Sequence, residues 1–513
     1  MTRATLVAVV LLLAGVILLR GADFAHRLTG PDLVAQAFAE GGDDAYYFFT
    51  VARNVAQGRG ITIDGVHWTT GFQPLWEAIS AGAFMLAPDR GALALLYVVS
   101  FGLWLCGAWL LVRFVGAARG GDLPPLAAAL IAVLYLCEGQ FAQHYFNGME
   151  TGLYITVCLA LLVAFQRHLQ GAPASTAQLA GLGVLAGLTM LARNDAVFLC
   201  GALIGALLLS GTRARPVREA LIIGAVASLL VLPWLIYCQR VFGQPIPQSG
   251  VATSAALHGP VAWDTLLETL SLSIAPHTIK VRTMVGAHRN AAAVLLFLAT
   301  LAVAAAWRPY GRRWMDSASH WVLVSLATAC CLLVLYYSIF SSAHQFFERY
   351  FAPIKLLVLI VLALLLARLV ARLRPRAASA IAVCAAAALF VGSNLYWTWR
   401  DFDLPFRGYI GETAYAIVRS PYASNGARLG LAESGRIGFL YPDRVVNLDG
   451  KMRVDALHAL RDGSFARFVH ATELDFIVLH GFDVRFFNKV APGWNDGYVQ
   501  VEDLGNFSVF AKR

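Results

Sequence analysis

Residues 74–88 read PLWEAISAGAFMLAP, and whether they cross a membrane decides the side on which every later loop lies. The stretch is apolar, but it is short and carries Glu77. A spanning helix needs about 20 residues, so length argues against a crossing. The arginines decide the matter. Without a crossing here, Arg113 and Arg119, Arg167, the group Arg213, Arg215 and Arg218, the group Arg308, Arg312 and Arg313, and Arg368, Arg372, Arg374 and Arg376 share one side. Basic loops mark the cytoplasmic side of a bilayer. Residues 74–88 are therefore expected as a helix lying at the outer surface or dipping into it, with Trp76 at the interface.

Outward from that stretch, apolar runs of spanning length lie at 4–19, 92–112, 124–138, 150–166, 177–192, 195–210, 219–238, 291–307, 320–340, 350–370 and 377–397. The first follows Arg3 and lacks a clear small-residue cleavage site, so it is expected as an uncleaved span with a cytoplasmic N-terminus. The fold class is then a mainly α, polytopic transmembrane bundle of about eleven spans. The outer regions are 20–91, 139–149, 239–290 and 341–349, with the chain from 398 onward. In that last segment 436–440 (RIGFL), 475–479 (DFIVL) and 507–511 (FSVFA) read as strands and 453–470 as a helix. A small extracytoplasmic α/β domain, 398–513, is expected after a membrane module, 1–397.

Composition agrees. The chain of 513 residues is 58% hydrophobic and 14% charged. Counted on the usual apolar scale it is roughly 63% apolar, against about 45–50% for soluble domains. An ordinary cytosolic globule and a disordered chain are excluded. The net charge of +9 sits in arginine clusters between apolar runs, which speaks for membrane orientation and against a nucleic-acid partner. Arg outnumbers Lys 35 to 5, the usage of a GC-rich bacterial genome. The eight cysteines lie in or beside apolar runs without CxxC spacing, and read as small buried hydrophobes rather than disulfides or a zinc site.

The first outer region holds the most informative polar cluster, Gly41-Gly42-Asp43-Asp44-Ala45-Tyr46-Tyr47-Phe48. Partial desolvation near a membrane raises a carboxylate pKa and makes it a better proton acceptor. One Asp as a helix cap and the other in solvent is the competing reading. Further on, His67-Trp68-Thr69-Thr70-Gly71-Phe72-Gln73-Pro74-Leu75-Trp76 mixes aromatics with hydrogen-bonding side chains, which suits either a sugar or an interfacial aromatic belt. Glu150 lies at the outer end of a span, where a charge has either a function or a favourable helix dipole.

These segments, with Ala52-Arg53-Asn54 and Gly58-Arg59-Gly60, resemble the first outer loop of the GT-C superfamily of integral-membrane glycosyltransferases. Within it the chain is most similar to bacterial relatives of the mycobacterial cell-wall arabinofuranosyltransferases. The resemblance continues through Asn147-Gly148-Met149-Glu150-Thr151-Gly152, Leu191-Ala192-Arg193-Asn194-Asp195, Phe242-Gly243-Gln244-Pro245-Ile246-Pro247 and Arg349-Tyr350-Phe351-Ala352-Pro353. In the C-terminal segment it includes Glu433-Ser434-Gly435-Arg436-Ile437-Gly438 and Val446-Asn447-Leu448-Asp449-Gly450.

The resemblance implies transfer of a sugar, arabinofuranose among the candidates, from a polyprenyl-phosphate donor to a hydroxyl of a glycan, lipid or protein acceptor. Transfer would occur at the outer face of a bacterial cytoplasmic membrane, with inversion. A carboxylate of the first outer loop serves such enzymes as base. Asp43 holds the leading acidic position and is expected in that role, with Asp44 orienting or sharing it. Glu150, His67, Gln73 and Trp76 are expected to organise the acceptor or the site. Arg349, Lys280, Arg282, His277 and Arg193 are expected to meet the donor phosphate, Arg349 foremost, because a leaving phosphate needs cations and arginine outside runs against the orientation bias. Some members of the superfamily hold a divalent cation and others need none; no metal ligand or other cofactor is assigned here.

Two other readings compete. A transporter or flippase would place charges and broken helices at mid-membrane and show an inverted repeat, whereas the acids here cluster at span ends. A membrane-anchored scaffold would leave the Asp43-Asp44 loop without a purpose.

Overall fold

The computed structural model describes residues 3–28, 42–256, 315–340, 347–372, 426–503 and 507–513, with a few isolated positions between them. The expected run at 291–307, most of that at 377–397, the third outer region beyond 256 and the domain boundary at 397/398 lie outside the described residues.

The other nine runs each fall on helix. In order the membrane module comprises α1 (Arg3–Leu28), α2 (Ala45–Ala56), α3 (Pro74–Leu86), α4 (Asp89–Ala118), α5 (Pro125–Leu136), α6 (Gly139–Phe146) and α7 (Thr151–Gln170). It continues with α8 (Thr176–Ala192), α9 (Val197–Leu209), α10 (Pro216–Phe242), α11 (Gln248–Ala256), α12 (Ser317–Phe340), α13 (Phe347–Tyr350) and α14 (Ala352–Arg372). Among the described residues α4, α7, α10, α12 and α14 are each long and apolar enough to cross a bilayer. The pair α5 and α6 makes a sixth candidate, bent by 61° at the break. At that break a Glu138 carboxylate oxygen accepts the Phe141 amide at 2.9 Å, and its other oxygen lies 3.5 Å from the buried Lys355 ammonium. An intramembrane charge is tolerated when paired in this way.

Local chemistry marks the helix ends. Pro125 and Pro216 sit where the missing amide costs nothing. Ser175 and Gln178 form a reciprocal cap on α8, and Gly243 ends α10 in the left-handed region, φ 80°. Gly183 and Gly187, one turn apart on α8, let α10 approach: a Cβ there would lie 2.7 Å from Val226 and 2.9 Å from Leu230. Small residues at such spacing permit the close packing on which membrane helices rely. The far side of α10 exposes Leu221 and Leu229, as a lipid-facing surface would.

Loops expected on one side meet one another. Gly42 N–H bonds to Asn147 O, Thr70 and Gln248 exchange hydrogen bonds, the Gln248 amide reaches Gly450 O, and Tyr237 donates to Thr69 O. At the opposite end Asp316 N–H bonds to Ala118 O, the Gln170 amide reaches Asp316, and Arg213 donates to the carbonyl of Gly171.

Helix α3 is a helix as expected, but it packs among α2, α4 and α8 rather than lying on the surface. Trp76 is fully buried and donates its indole N–H to Gly148 O at 2.9 Å, so it ties the first outer loop to the second instead of marking the interface.

The C-terminal domain carries a five-stranded sheet in the order β2-β1-β3-β5-β4: β1 (Leu429–Leu431), β2 (Val445–Asn447), β3 (Phe476–His480), β4 (Tyr498–Asp503) and β5 (Phe507–Lys512). β1 pairs parallel with β2 and β3, and β5 pairs antiparallel with β3 and β4. The strands expected at 475–479 and 507–511 are β3 and β5. RIGFL is not a strand; it belongs to helix α15 (Gly435–Leu440). The expected helix at 453–470 divides into α16 (Val454–Asp462) and α17 (Phe465–Ala471), because Gly463 adopts φ 77° and stops the first. Helix α18 (Gly481–Val490) follows β3.

Candidate active site at the outer end of the bundle

The two adjacent aspartates have different surroundings. Both carboxylate oxygens of Asp43 accept backbone N–H groups of the C-terminal domain, from Gly435 and Arg436, each at 2.9 Å. Burial raises its pKa, and does so by more than these amides and the Arg436 charge lower it. Asp43 thus caps α15 from outside, where Ser434 makes no side-chain cap. Tyr47 clasps the same region, donating to Ala432 O and accepting from Ser434 N–H at 3.0 Å. Arg53 adds a bond to Phe439 O at 2.7 Å.

Asp44 begins α2 without capping it and faces a cavity of about 540 Å³. Its Oδ2 lies 3.0 Å from Arg349 Nη1. Burial pushes the Asp44 carboxyl up, but the charges of Arg349 and Lys451 outweigh burial and hold it below the usual range. Arg349 is held protonated more firmly than usual, since Tyr350 and Asp44 overcome its desolvation.

From Arg349 a continuous chain of contacts runs around the wall. Its guanidinium lies over the Tyr350 ring, which stacks on Tyr337 at 4.8 Å. Tyr337 donates to Asp195 at 2.7 Å, Asp195 accepts from Arg193, and Arg193 bonds Glu150 Oε1 at 2.7 Å. Glu150 Oε2 has no hydrogen-bond partner among the described residues. The opposite wall brings Lys451 from the C-terminal domain, its ammonium 3.3 Å from Glu433 and 3.2 Å from Asp449. Burial disfavours the Lys451 charge, but the carboxylates outweigh it and keep it protonated. Glu433 is pushed up to about 8 by burial and by the surrounding acids, against the pull of Lys451. Phe48, Phe72, Phe198 and Pro247 make the remaining wall apolar.

Of the residues expected from sequence, Asp44, Glu150, Gln73, Arg193 and Arg349 line this cavity. Asp43 and Trp76 do not; they hold the loops that form it. His67 lies on a separate groove with Trp68 and Asp455. Lys280, Arg282 and His277 lie outside the described residues. Sequence reasoning missed Lys451, Asp195 and Tyr337 as wall residues; the scarcity of lysine was the one signal for the first. The neighbours of Asp44 are the cations Arg349 and Lys451, and among the described residues no group of three His, Cys, Asp or Glu side chains is placed to hold a metal ion.

The arrangement offers a carboxylate, three cations, of which Arg193 is buried and Arg349 and Lys451 are half-buried, and an apolar wall in a pocket of ligand size. No family model and no curated protein matches the chain. Solved structures do. ArnT from Cupriavidus metallidurans bound to undecaprenyl phosphate aligns over 97% of this chain and 98% of its own, with TM-score 0.57 and 13% identity. The apo form of the same protein aligns over 92% and 93%, with TM-score 0.55 and 14% identity. The Archaeoglobus fulgidus oligosaccharyltransferase in complex with zinc and sulfate aligns over 92% of this chain and 69% of its own, with TM-score 0.52 and 13% identity. The chain has the GT-C fold of these membrane proteins.

Proposed function

We propose that the protein is a glycosyltransferase that moves a sugar from a polyprenyl-phosphate donor to an acceptor hydroxyl at the outer face of the membrane. The observation that carries this reading is the pairing of Asp44 with Arg349 at the wall of a cavity whose other cations are Arg193 and Lys451. It is supported by a shared fold with a protein crystallised with undecaprenyl phosphate. Multivalent cation contact is what a lipid phosphate needs when it leaves with both electrons of the bond to the anomeric carbon.

In the reaction the acceptor oxygen attacks the anomeric carbon on the face opposite the phosphate, inverting it. The C–O bond to the phosphate breaks, and the hydroxyl proton passes to a carboxylate. Asp44 takes the role of base, since it faces the cavity while both Asp43 oxygens are occupied by amides. Arriving phosphate oxygens compete for Arg349. As Arg349 turns from Asp44 to phosphate, the carboxylate loses the charge that depresses its pKa and becomes a stronger base. Donor binding thereby readies the base.

The test is sugar transfer in membranes containing the wild type or Asp44→Asn, with a donor panel that includes polyprenyl-phosphate-linked arabinofuranose, the sugar that the sequence resemblance implies. Asp44→Asn should reduce transfer by about 10²- to 10⁴-fold at unchanged expression. Asp43→Asn should chiefly loosen the C-terminal domain, read as protease sensitivity. Undiminished transfer by Asp44→Asn would overturn the assignment.

A further inference from the structure

A second concavity, of about 650 Å³, opens beside the C-terminal domain and is not part of the cavity just described. Its walls are the tip of the first outer loop (His67, Trp68), the outer end of α10 (Tyr237, Arg240) and the first two turns of α16 (Asp455, His458). The loop tip is built rather than loose. Thr62 and Trp68 form an antiparallel bridge, and Asp64 accepts the amides of Val66 and His67 and bonds His67 Nδ1 at 2.7 Å. That bond turns the other ring nitrogen toward the C-terminal domain, 3.2 Å from Arg453 Nη2 and 3.8 Å from Asp455. Arg453 is buried, and it also anchors Asp455 through its Nε at 2.9 Å. Burial raises the Asp455 carboxyl, but the Arg453 bonds and charge outweigh burial and keep it ionised as an acceptor.

Trp68 is 52% exposed although it is bridged, leans on the Gly60 turn and meets Tyr237 edge-on at 6.5 Å. A rigid exposed indole beside the Asp455 carboxylate, whose oxygens keep lone pairs beyond the Arg453 bonds, offers a platform for the C–H face of a sugar ring and an acceptor for its hydroxyls. The groove and the cavity have no lining residue in common, but two segments of chain contribute to both. Residues 66–68 line the groove and 71–73 the cavity; 454–458 line the groove and 451–452 the cavity. Three residues of chain reach at most about 11 Å. A chain of sugars in the groove therefore lies within about 11 Å of Asp44's cavity, on the other side of the contact that Gly71 makes with Lys451 and Met452, and reaches the cavity by passing over that contact.

We propose that this groove binds the acceptor as a saccharide, presenting its terminal hydroxyl to the cavity. The inference rests on the glycosyl-transfer reading and names that reaction's acceptor class. Val66, 72% exposed at the same tip, makes a lipid surface the rival occupant. Asp455 and His458, on the wall facing Trp68, favour the saccharide.

The test uses the detergent-solubilised full chain on an array of arabinan, galactan, mannan and glucan oligosaccharides. Parallel samples measure association with phosphatidylglycerol/phosphatidylethanolamine vesicles and stabilisation by undecaprenyl phosphate. Wild type should bind at least one glycan class. Trp68→Ala and Asp455→Asn should each weaken that binding about tenfold or more, Trp68→Tyr should restore most of it, and undecaprenyl phosphate should still raise their Tm, showing that the fold and the cavity survive. Equal glycan binding by both variants and wild type overturns the groove, as does failure of the wild type to bind any glycan on the array. Loss of vesicle binding by Trp68→Ala with unchanged glycan binding overturns it in favour of a membrane anchor. Failure of the function reading looks different: Asp44→Asn remains active, or undecaprenyl phosphate does not stabilise the wild type, whatever the array shows.

Discussion

Helix α7 has a buried arginine and a glutamate at each end, about 27 Å apart along its axis, and the two ends differ in one respect. At the His168 end, Arg213 is saturated: it donates to both oxygens of Glu219 and to the carbonyls of His168, Gly171 and Ala172. At the Glu150 end, Arg193 bonds Glu150, Asp195 and Tyr337, yet one Glu150 oxygen has no partner among the described residues and sits in a cavity wall. A buried ion pair by itself marks only a place where charge has been neutralised. What marks a site is neutralisation left incomplete beside an open volume, where a ligand can supply the missing partner.

The comparison can be broken most directly by exchanging the outcome of two substitutions. Arg349→Ala should cut kcat/KM for transfer by about 10²- to 10³-fold with little change in Tm, since the side chain is placed to meet charge that develops on the leaving phosphate. Arg213→Ala should lose about 3 kcal/mol of stability, because it leaves the buried Glu219 with His168 as its remaining partner, while transfer per folded molecule stays at the wild-type value. Kinetics paired with thermal melting read both. A loss of kcat in Arg213→Ala at unchanged Tm would dissolve the distinction between the ends.

A smaller effect sharpens the role of the C-terminal domain. Lys451→Gln should raise the donor KM about tenfold by removing one phosphate-facing cation, and should leave Arg193 and its partners in place. An unchanged donor KM would reduce Lys451 to an anchor for Glu433 and Asp449.

The last effect is one of pH. Glu433 titrates at about 8 in the folded protein against 4.5 free. The folded state binds this proton more tightly, so the stability it contributes is complete below pH 4.5 and is lost as pH rises through about 8. Glu433→Gln stays neutral. Its Tm should therefore fall less than that of the wild type over this window, and a Tm difference that does not vary with pH would count against the burial of Glu433 at the domain contact.

Much of this was legible beforehand. Nine apolar runs became helices because a run apolar on all faces has no other stable form in a bilayer. The loops grouped by arginine content meet at two opposite ends, and the motifs at 43–54, 147–152, 193–195, 349–353 and 433–450 converge although hundreds of residues separate them. Three features were not legible. RIGFL alternates like a strand, but Asp43 caps its first amides from 392 positions away and it folds as α15. Trp76 has the composition of an interfacial residue, but a hydrogen bond to Gly148 draws it into the core. Lys451 sits in a polar stretch like any surface lysine, and only the docking of the domain on Gly71 brings it to the cavity.

The sequence by itself determined the membrane bundle, the grouping of its loops by arginine content, and the acidic pair at the start of α2, because hydropathy and charge act over short stretches that can be read in order. Only the tertiary structure decided which member of that pair lines the cavity. Neighbouring residues at a helix start point in different directions, and the partner that occupies one of them comes from the far end of the chain. Asp43 holds the C-terminal domain in place, and Asp44 faces the cavity that this domain helps to close.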